Sequence, residues 1–379
     1  MKTPFENISS WFETPRVEET EKFIYPGIKQ IFYDSVPYKG KPTKVFACYG
    51  LPEGASAEHP VPAVVLVHGG GATALANWVE LWNKRGYAAI SMDTCGCVPS
   101  WSPNFCYNRA WPQHEFGGPR GWGNLNLSED APEDQWGYHA AAAVVIGHSF
   151  LRSLPEVDTS RIGITGISWG GVLTCIAAGL DDRFSYAMPV YGCGFLDRPD
   201  CSLNREKNPT PAQVQKWFEL WDPSNYLPNV KCPVFFVAGS NDKPFPLDSL
   251  FDSIDLVQNV RQLVIHEYPH NHTISWEEET MYAFADAVNC GKENSLPRFT
   301  PLCVEDGRLK TTVKSDVRPV KAEMYYTCGS GFWTGRKWFY ENAEISGNEI
   351  SAAKIPNTTA AYFMITLPDG TRYSTGLFR

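Results

Sequence analysis

The hydrophobic pattern divides the chain into two regimes that meet near residue 295. Residues 1–60 read as a lead-in carrying a strand pair, around Ile28–Tyr33 and Lys44–Leu51. Val61-Pro62-Ala63-Val64-Val65-Leu66-Val67 follows as a continuous apolar run, the signature of a parallel strand buried on both faces. Beyond it Leu75, Trp78, Val79 and Trp82 recur at i, i+3, i+4 and i+7, which predicts a helix packed on the sheet. Gly86 stops that helix and Tyr87–Met92 is the next strand. A long, nearly all-apolar helix spans Trp136–Leu154 and feeds a short alternating strand, Arg161–Thr165, with an apolar helix from Trp169 to Leu180 behind it. Further strands are expected at Ala187–Tyr191, Pro233–Ala238 and Gln262–Tyr268, and helices at Ala212–Leu220, Leu247–Val257 and Trp276–Cys290. Strands alternating with helices predict an α/β, doubly wound, mostly parallel sheet over residues 1–296.

From residue 297 onward only short β-type runs remain: Lys310–Lys314, Val320–Tyr326, Lys337–Tyr340, Ile350–Lys354, Ala360–Thr366 and Tyr373–Phe378. Turns such as Ser346-Gly347-Asn348 and Pro368-Asp369-Gly370 separate them, so residues 297–379 read as a smaller all-β sandwich. Residues 98–138 stand apart as an aperiodic stretch rich in Pro, Gly, Trp and Asn, and loops of that length in a compact domain usually serve function.

Composition narrows the partners. A net charge of −9 with no basic run argues against nucleic acid, and no apolar stretch approaches membrane-spanning length. The N-terminus shows no apolar secretory core, and eleven scattered cysteines suit a reduced, cytoplasmic protein. Cys95 and Cys97 form only a C-x-C, too little for a metal site.

The candidate chemistry begins at "GITGISWGG", residues 163–171. A G-x-S-x-G pattern is common, but here a strand precedes Ser168 and a helix follows it, with Gly166 and Gly170 where a Cβ would clash across a tight turn. Serine needs a base to take its proton, and the base needs an orienting acid. In this layout they follow in the order Ser, Asp or Glu, His, each just past a strand. Asp242 closes "CPVFFVAGSND", and His270 and His272 lie in "LVIHEYPHNHTISW". His272 is the preferred base, on the expectation that the loop needs a few residues to turn back, with His270 the alternative. The oxyanion donors are expected from the Trp169 backbone and from "HGGGAT", at Gly70 or Gly71, with His68 structuring that loop. Trp101, Trp111 and Trp122 are candidate walls for a ring-bearing substrate.

The segments "VVLVHGGG", "DTSRIGITGISWGG", "WDPSNYL", "CPVFFVAGSND" and "YPHNH" make residues 40–292 resemble the α/β-hydrolase superfamily, in its acetyl xylan esterase and dienelactone-hydrolase-like branch, which borders the prolyl oligopeptidases. The C-terminal part resembles the immunoglobulin-like tail of some bacterial acetyl xylan esterase relatives. That resemblance implies Ser168, Asp242 and His272 as nucleophile, acid and base. The expectation is a serine esterase cleaving a small-molecule or oligosaccharide ester with no cofactor and no metal. A serine aminopeptidase or oligopeptidase is the alternative, and a non-catalytic carbohydrate binder the third reading. A homo-oligomer stays open.

Overall fold

The computed structural model describes residues 4–22, 25–99, 111–121, 129–201, 210–268, 270–271 and 273–379. Three antiparallel strands open the sheet: β1 (Val17–Glu19), β2 (Lys29–Tyr38) and β3 (Lys41–Gly50). The parallel strands are β4 (Val61–Val67), β5 (Ala88–Met92), β6 (Val157–Ile167), β7 (Ala187–Val190), β8 (Val234–Gly239) and β9 (Val260–Ile265). Together they form a nine-stranded sheet in the order β1-β2-β3-β5-β4-β6-β7-β8-β9. After β4 the chain crosses to β5 on one side and then returns to β6 on the other. The crevice at the carboxyl ends of β4 and β6 is therefore a topological switch point, where such sheets bind ligands.

The helices are α1 (Ala76–Asn83), α2 (Trp136–Arg152), α3 (Trp169–Leu180), α4 (Pro211–Trp221), α5 (Leu247–Asp255), α6 (Ile274–Glu277) and α7 (Glu279–Asn289). α2 is apolar on all sides because it is covered on all sides. The lead-in segment lies across it, with Trp11 buried and its carbonyl accepting the Ser149 hydroxyl at 2.7 Å. The single helix expected over 276–290 is two. Glu278 is extended (ψ 101°) and caps α7, its carboxylate accepting Thr280 N–H at 3.2 Å. Among the described residues no helix is long and apolar enough to cross a membrane.

The C-terminal part has two antiparallel sheets. One contains β10 (Arg298–Phe299), β11 (Cys303–Glu305), β12 (Arg308–Lys314), β15 (Glu344–Ser346) and β16 (Glu349–Ala353). The other runs β14 (Phe339–Asn342), β13 (Lys321–Thr327), β17 (Ala360–Thr366), β18 (Arg372–Ser374). β9 ends the large sheet, and an open strand edge presents unpaired amides. Here β18 packs beside it: Val264 N–H donates to Ser374 Oγ at 2.9 Å, and the Tyr373 ring lies 5.9 Å from Phe235. Ion pairs from Arg372 to Glu278 and from Arg379 to Asp252 fasten the two parts further.

Candidate active site

β6 delivers Ser168 and α3 leaves from it. Between them the serine takes φ 60° and ψ −119°, a conformation that costs a non-glycine residue about 1–3 kcal/mol and persists only where neighbours enforce it. The enforcement is steric. A Cβ on Gly166 would stand 2.2 Å from the Gly170 carbonyl oxygen, and one on Gly170 would stand 2.0 Å from that of Val67. Only glycines let α3 start this close to β4 and β6. Ser168 N–H donates to the Val190 carbonyl at 2.8 Å, tying the turn to β7 as well.

Asp242 lies just beyond β8, its side chain wholly buried. One carboxylate oxygen accepts Phe245 N–H at 2.7 Å and the other meets His270 Nδ1 at 2.6 Å. His270 Nε2 lies 3.0 Å from Ser168 Oγ. A carboxylate only accepts, so Nδ1 carries the proton and Nε2 is left to accept from the serine hydroxyl. The imidazole is held by rings on two sides, with centroids 4.4 Å away at Tyr191 and 6.0 Å away at Phe245.

The imidazole bridging Ser168 and Asp242 is thus His270, in place of the preferred His272, which lies outside the described residues. The reason is local. β9 ends at Ile265, three residues short of the expected Tyr268. Glu267 then turns the chain at once in the left-handed region (φ 43°), its N–H donating to Ser240 Oγ at 3.0 Å. The loop therefore reaches the serine two residues earlier than a longer strand would allow. Tyr191, which sequence reasoning did not single out, braces this loop too: its hydroxyl accepts Asn271 N–H at 3.2 Å. Its only sequence signal is an aromatic residue at the end of a predicted strand.

The glycine loop after β4 is locked from three directions. His68 is fully buried, with Nδ1 2.9 Å from the Gly69 carbonyl and Nε2 accepting Thr94 N–H at 3.1 Å. Burial pushes the pKa of this imidazole down, so the neutral ring that can both donate and accept is favoured. Asp93, also buried, accepts Thr73 Oγ1 at 2.9 Å and the N–H groups of Cys95 and Cys97 at 2.8 and 2.7 Å. The C-x-C therefore serves the loop through its backbone. Trp111 is buried and donates its indole N–H to the Gly71 carbonyl at 3.0 Å, so it braces this loop and is not an open platform. Gly71 itself takes φ 81°. Trp169 occupies the first turn of α3, where N–H groups have no acceptor within the helix, and its ring packs on Trp136 and Trp217 at 5.6 and 6.1 Å. Trp101 and Trp122 lie outside the described residues.

Residues 127–289, a span that contains Ser168, Asp242 and His270, match the model of the prolyl oligopeptidase family. An acetyl esterase of Xylanibacter ruminicola is 26% identical over 168 residues, covering 42% of this chain and 38% of that relative's length. The solved acetyl xylan esterase of a Paenibacillus species superposes with a TM-score of 0.58 at 22% identity, covering 74% of this chain and 92% of its own. Acetyl xylan esterase 1 of a Thermoanaerobacterium species gives 0.56 at 16% identity, with 74% and 93% covered. The chain thus has an α/β-hydrolase-like fold, and acetyl xylan esterases stand among its structural neighbours.

Proposed function

We propose that the chain is a serine carboxylic-ester hydrolase of the acetyl esterase type, acting on an acetylated carbohydrate or a related ester through an acyl-Ser168 intermediate. One observation carries this reading: Ser168 Oγ, strained at its elbow, lies 3.0 Å from an imidazole whose far nitrogen is 2.6 Å from a buried carboxylate. Ser168 Oγ attacks the ester carbonyl while His270 Nε2 takes its proton, and Asp242 stabilises the imidazolium that forms. Backbone N–H groups of Trp169 and of Gly70 or Gly71 receive the developing oxyanion. The imidazolium returns the proton to the departing alcohol. Water, deprotonated by His270, then attacks the acyl carbon, and the carboxylic acid leaves as Ser168 recovers its proton.

Assay of the purified chain on p-nitrophenyl acetate tests this directly. Turnover is expected, and Ser168→Ala should reduce it by about a thousandfold or more with the fold intact. The match to prolyl oligopeptidases favours a second reading, a peptidase. An aminopeptidase would need an acidic pair or similar group for the substrate amine. Of the acidic residues Glu115, Glu129, Asp130, Glu133 and Asp134 that could supply one, two are already engaged: Asp134 accepts Lys39 N–H at 2.7 Å and Asp130 pairs with the Lys39 ammonium at 3.5 Å. Turnover of an aminoacyl-anilide without ester turnover would reverse the ranking.

A further inference from the structure

At the other end of β9 from the His270 loop, a cavity of about 320 Å³ opens between the large sheet and the sandwich. Arg261, Arg298, Asn259, Gln262, Tyr373 and Ser374 are among its walls. Arg261 is only 5% exposed. Its Nη1 donates to Asn259 Oδ1 at 3.2 Å and to the Val260 carbonyl at 2.8 Å, and its Nη2 to the Glu293 carbonyl at 3.2 Å. Among the described residues its Nε has no hydrogen-bond partner. Arg298 donates to the same Asn259 oxygen at 3.4 Å and to Asn294 Oδ1 at 2.9 Å. Every one of these acceptors is a neutral amide or carbonyl. Among the described residues neither guanidinium pairs with a carboxylate; the Tyr373 phenol and Glu293 act on Arg261 only through space.

Two like charges beside one cavity, one of them buried, leave an uncompensated field that a bound anion would neutralise. Burial, with Arg298 alongside, pulls the Arg261 guanidinium down to about 10, the direction expected of a cation without a counterion. Guanidinium forks match planar or tetrahedral oxyanions and discriminate poorly against size, so the ligand class is an oxyanion, a carboxylate or a phosphate ester. From Arg261 to Ile265 the strand rises about 13 Å, which sets the cavity apart from the serine. We propose that Arg261 and Arg298 form an anion-binding seat at the junction of the sheet and the sandwich. A ligand there would fasten the two parts together.

The test is thermal unfolding and calorimetric titration of the intact chain with inorganic phosphate, acetate or chloride at matched ionic strength. A saturable rise in Tm with phosphate or acetate over chloride is expected, and the anion that gives it identifies the ligand class. Arg261→Gln and Arg298→Gln should each weaken the apparent affinity about tenfold or more. If Arg261→Gln does not fold, the half-buried Arg298→Gln decides by itself. No saturable response to either oxyanion, or a response that both folded variants keep unchanged, overturns the assignment. Neither readout depends on esterase activity.

Discussion

Among single residues, the histidine carries the sharpest consequence. Because His270 alone bridges Ser168 and Asp242 among the described residues, His270→Ala should lower ester turnover about a thousandfold or more, and His272→Ala should retain most of it. Equal losses from both, measured on p-nitrophenyl acetate, would take the role away from His270. Asp242→Asn is expected to cost up to about four orders of magnitude. An amide that donates to Nδ1 forces the proton onto Nε2, which then cannot accept from serine. Ser168 and Asp242 were legible because a strand end fixes where the next side chain stands. The choice between His270 and His272 was not, since it depends on the left-handed turn at Glu267, and glutamate gives no sign of that conformation. A different group of residues sets the pH response. Burial lowers the pKa of His139 to about 4 and also lowers those of His68 and His148. As the pH falls below about 6.5, the unfolded chain takes up protons on these imidazoles that the folded chain does not, down to about pH 4 for His139, so stability falls as the pH is lowered. Each proton so taken up costs about 1.4 kcal/mol per pH unit. Burial raises the Asp93 and Asp222 carboxyls, which opposes this slope at the acidic end. His139→Gln should flatten the decline measured by urea unfolding between pH 6.5 and 5; an unchanged slope would count against the desolvated imidazole as its source.

At the level of elements, the elbow depends on how closely α3 approaches β4. A methyl group on Gly170 meets the Val67 carbonyl oxygen at 2.0 Å and the His68 carbonyl oxygen at 2.7 Å, and backbone cannot yield as a flexible side chain can. Gly170→Ala is therefore expected to destabilise the chain by about 3 kcal/mol or more, read from the urea midpoint, and to depress turnover by shifting Ser168. A variant with native stability and turnover would show that the contact is not limiting. The elements themselves were largely readable, and α3 and β17 have the limits that periodicity predicts. What escaped were segments whose ends are set by partners elsewhere. β6 begins at Val157, through the polar Asp158–Ser160 stretch, because pairing with β4 extends it. The helix pair α6 and α7 is divided at Glu278, whose carboxylate both caps α7 and pairs with Arg372 of β18.

On the scale of the whole molecule, the sandwich acts as the cover of the sheet's last edge. β9 has β8 on one side only, so its outer amides need protection from water-exposed pairing with other chains. Ser374 Oγ takes one of them, Tyr373 and the buried face of β18 shield the apolar side chains behind it, and Arg372 and Arg379 pin the arrangement to Glu278 and Asp252. Removing residues 297–379 would strip all of these together and expose an apolar strand at the sheet margin. The truncated chain is therefore expected to aggregate or unfold at a clearly lower temperature, even though Ser168, Asp242 and His270 all lie in what remains. A milder variant separates the edge from the bulk of the sandwich: Ser374→Ala leaves Val264 N–H unbonded and should cost about 1–3 kcal/mol by urea unfolding. The two results must agree in sign for the cover to be the sandwich's structural task. A soluble, monomeric truncation with an unchanged unfolding temperature would mean that the strand tolerates an open edge, and the sandwich would then need another reason to be there.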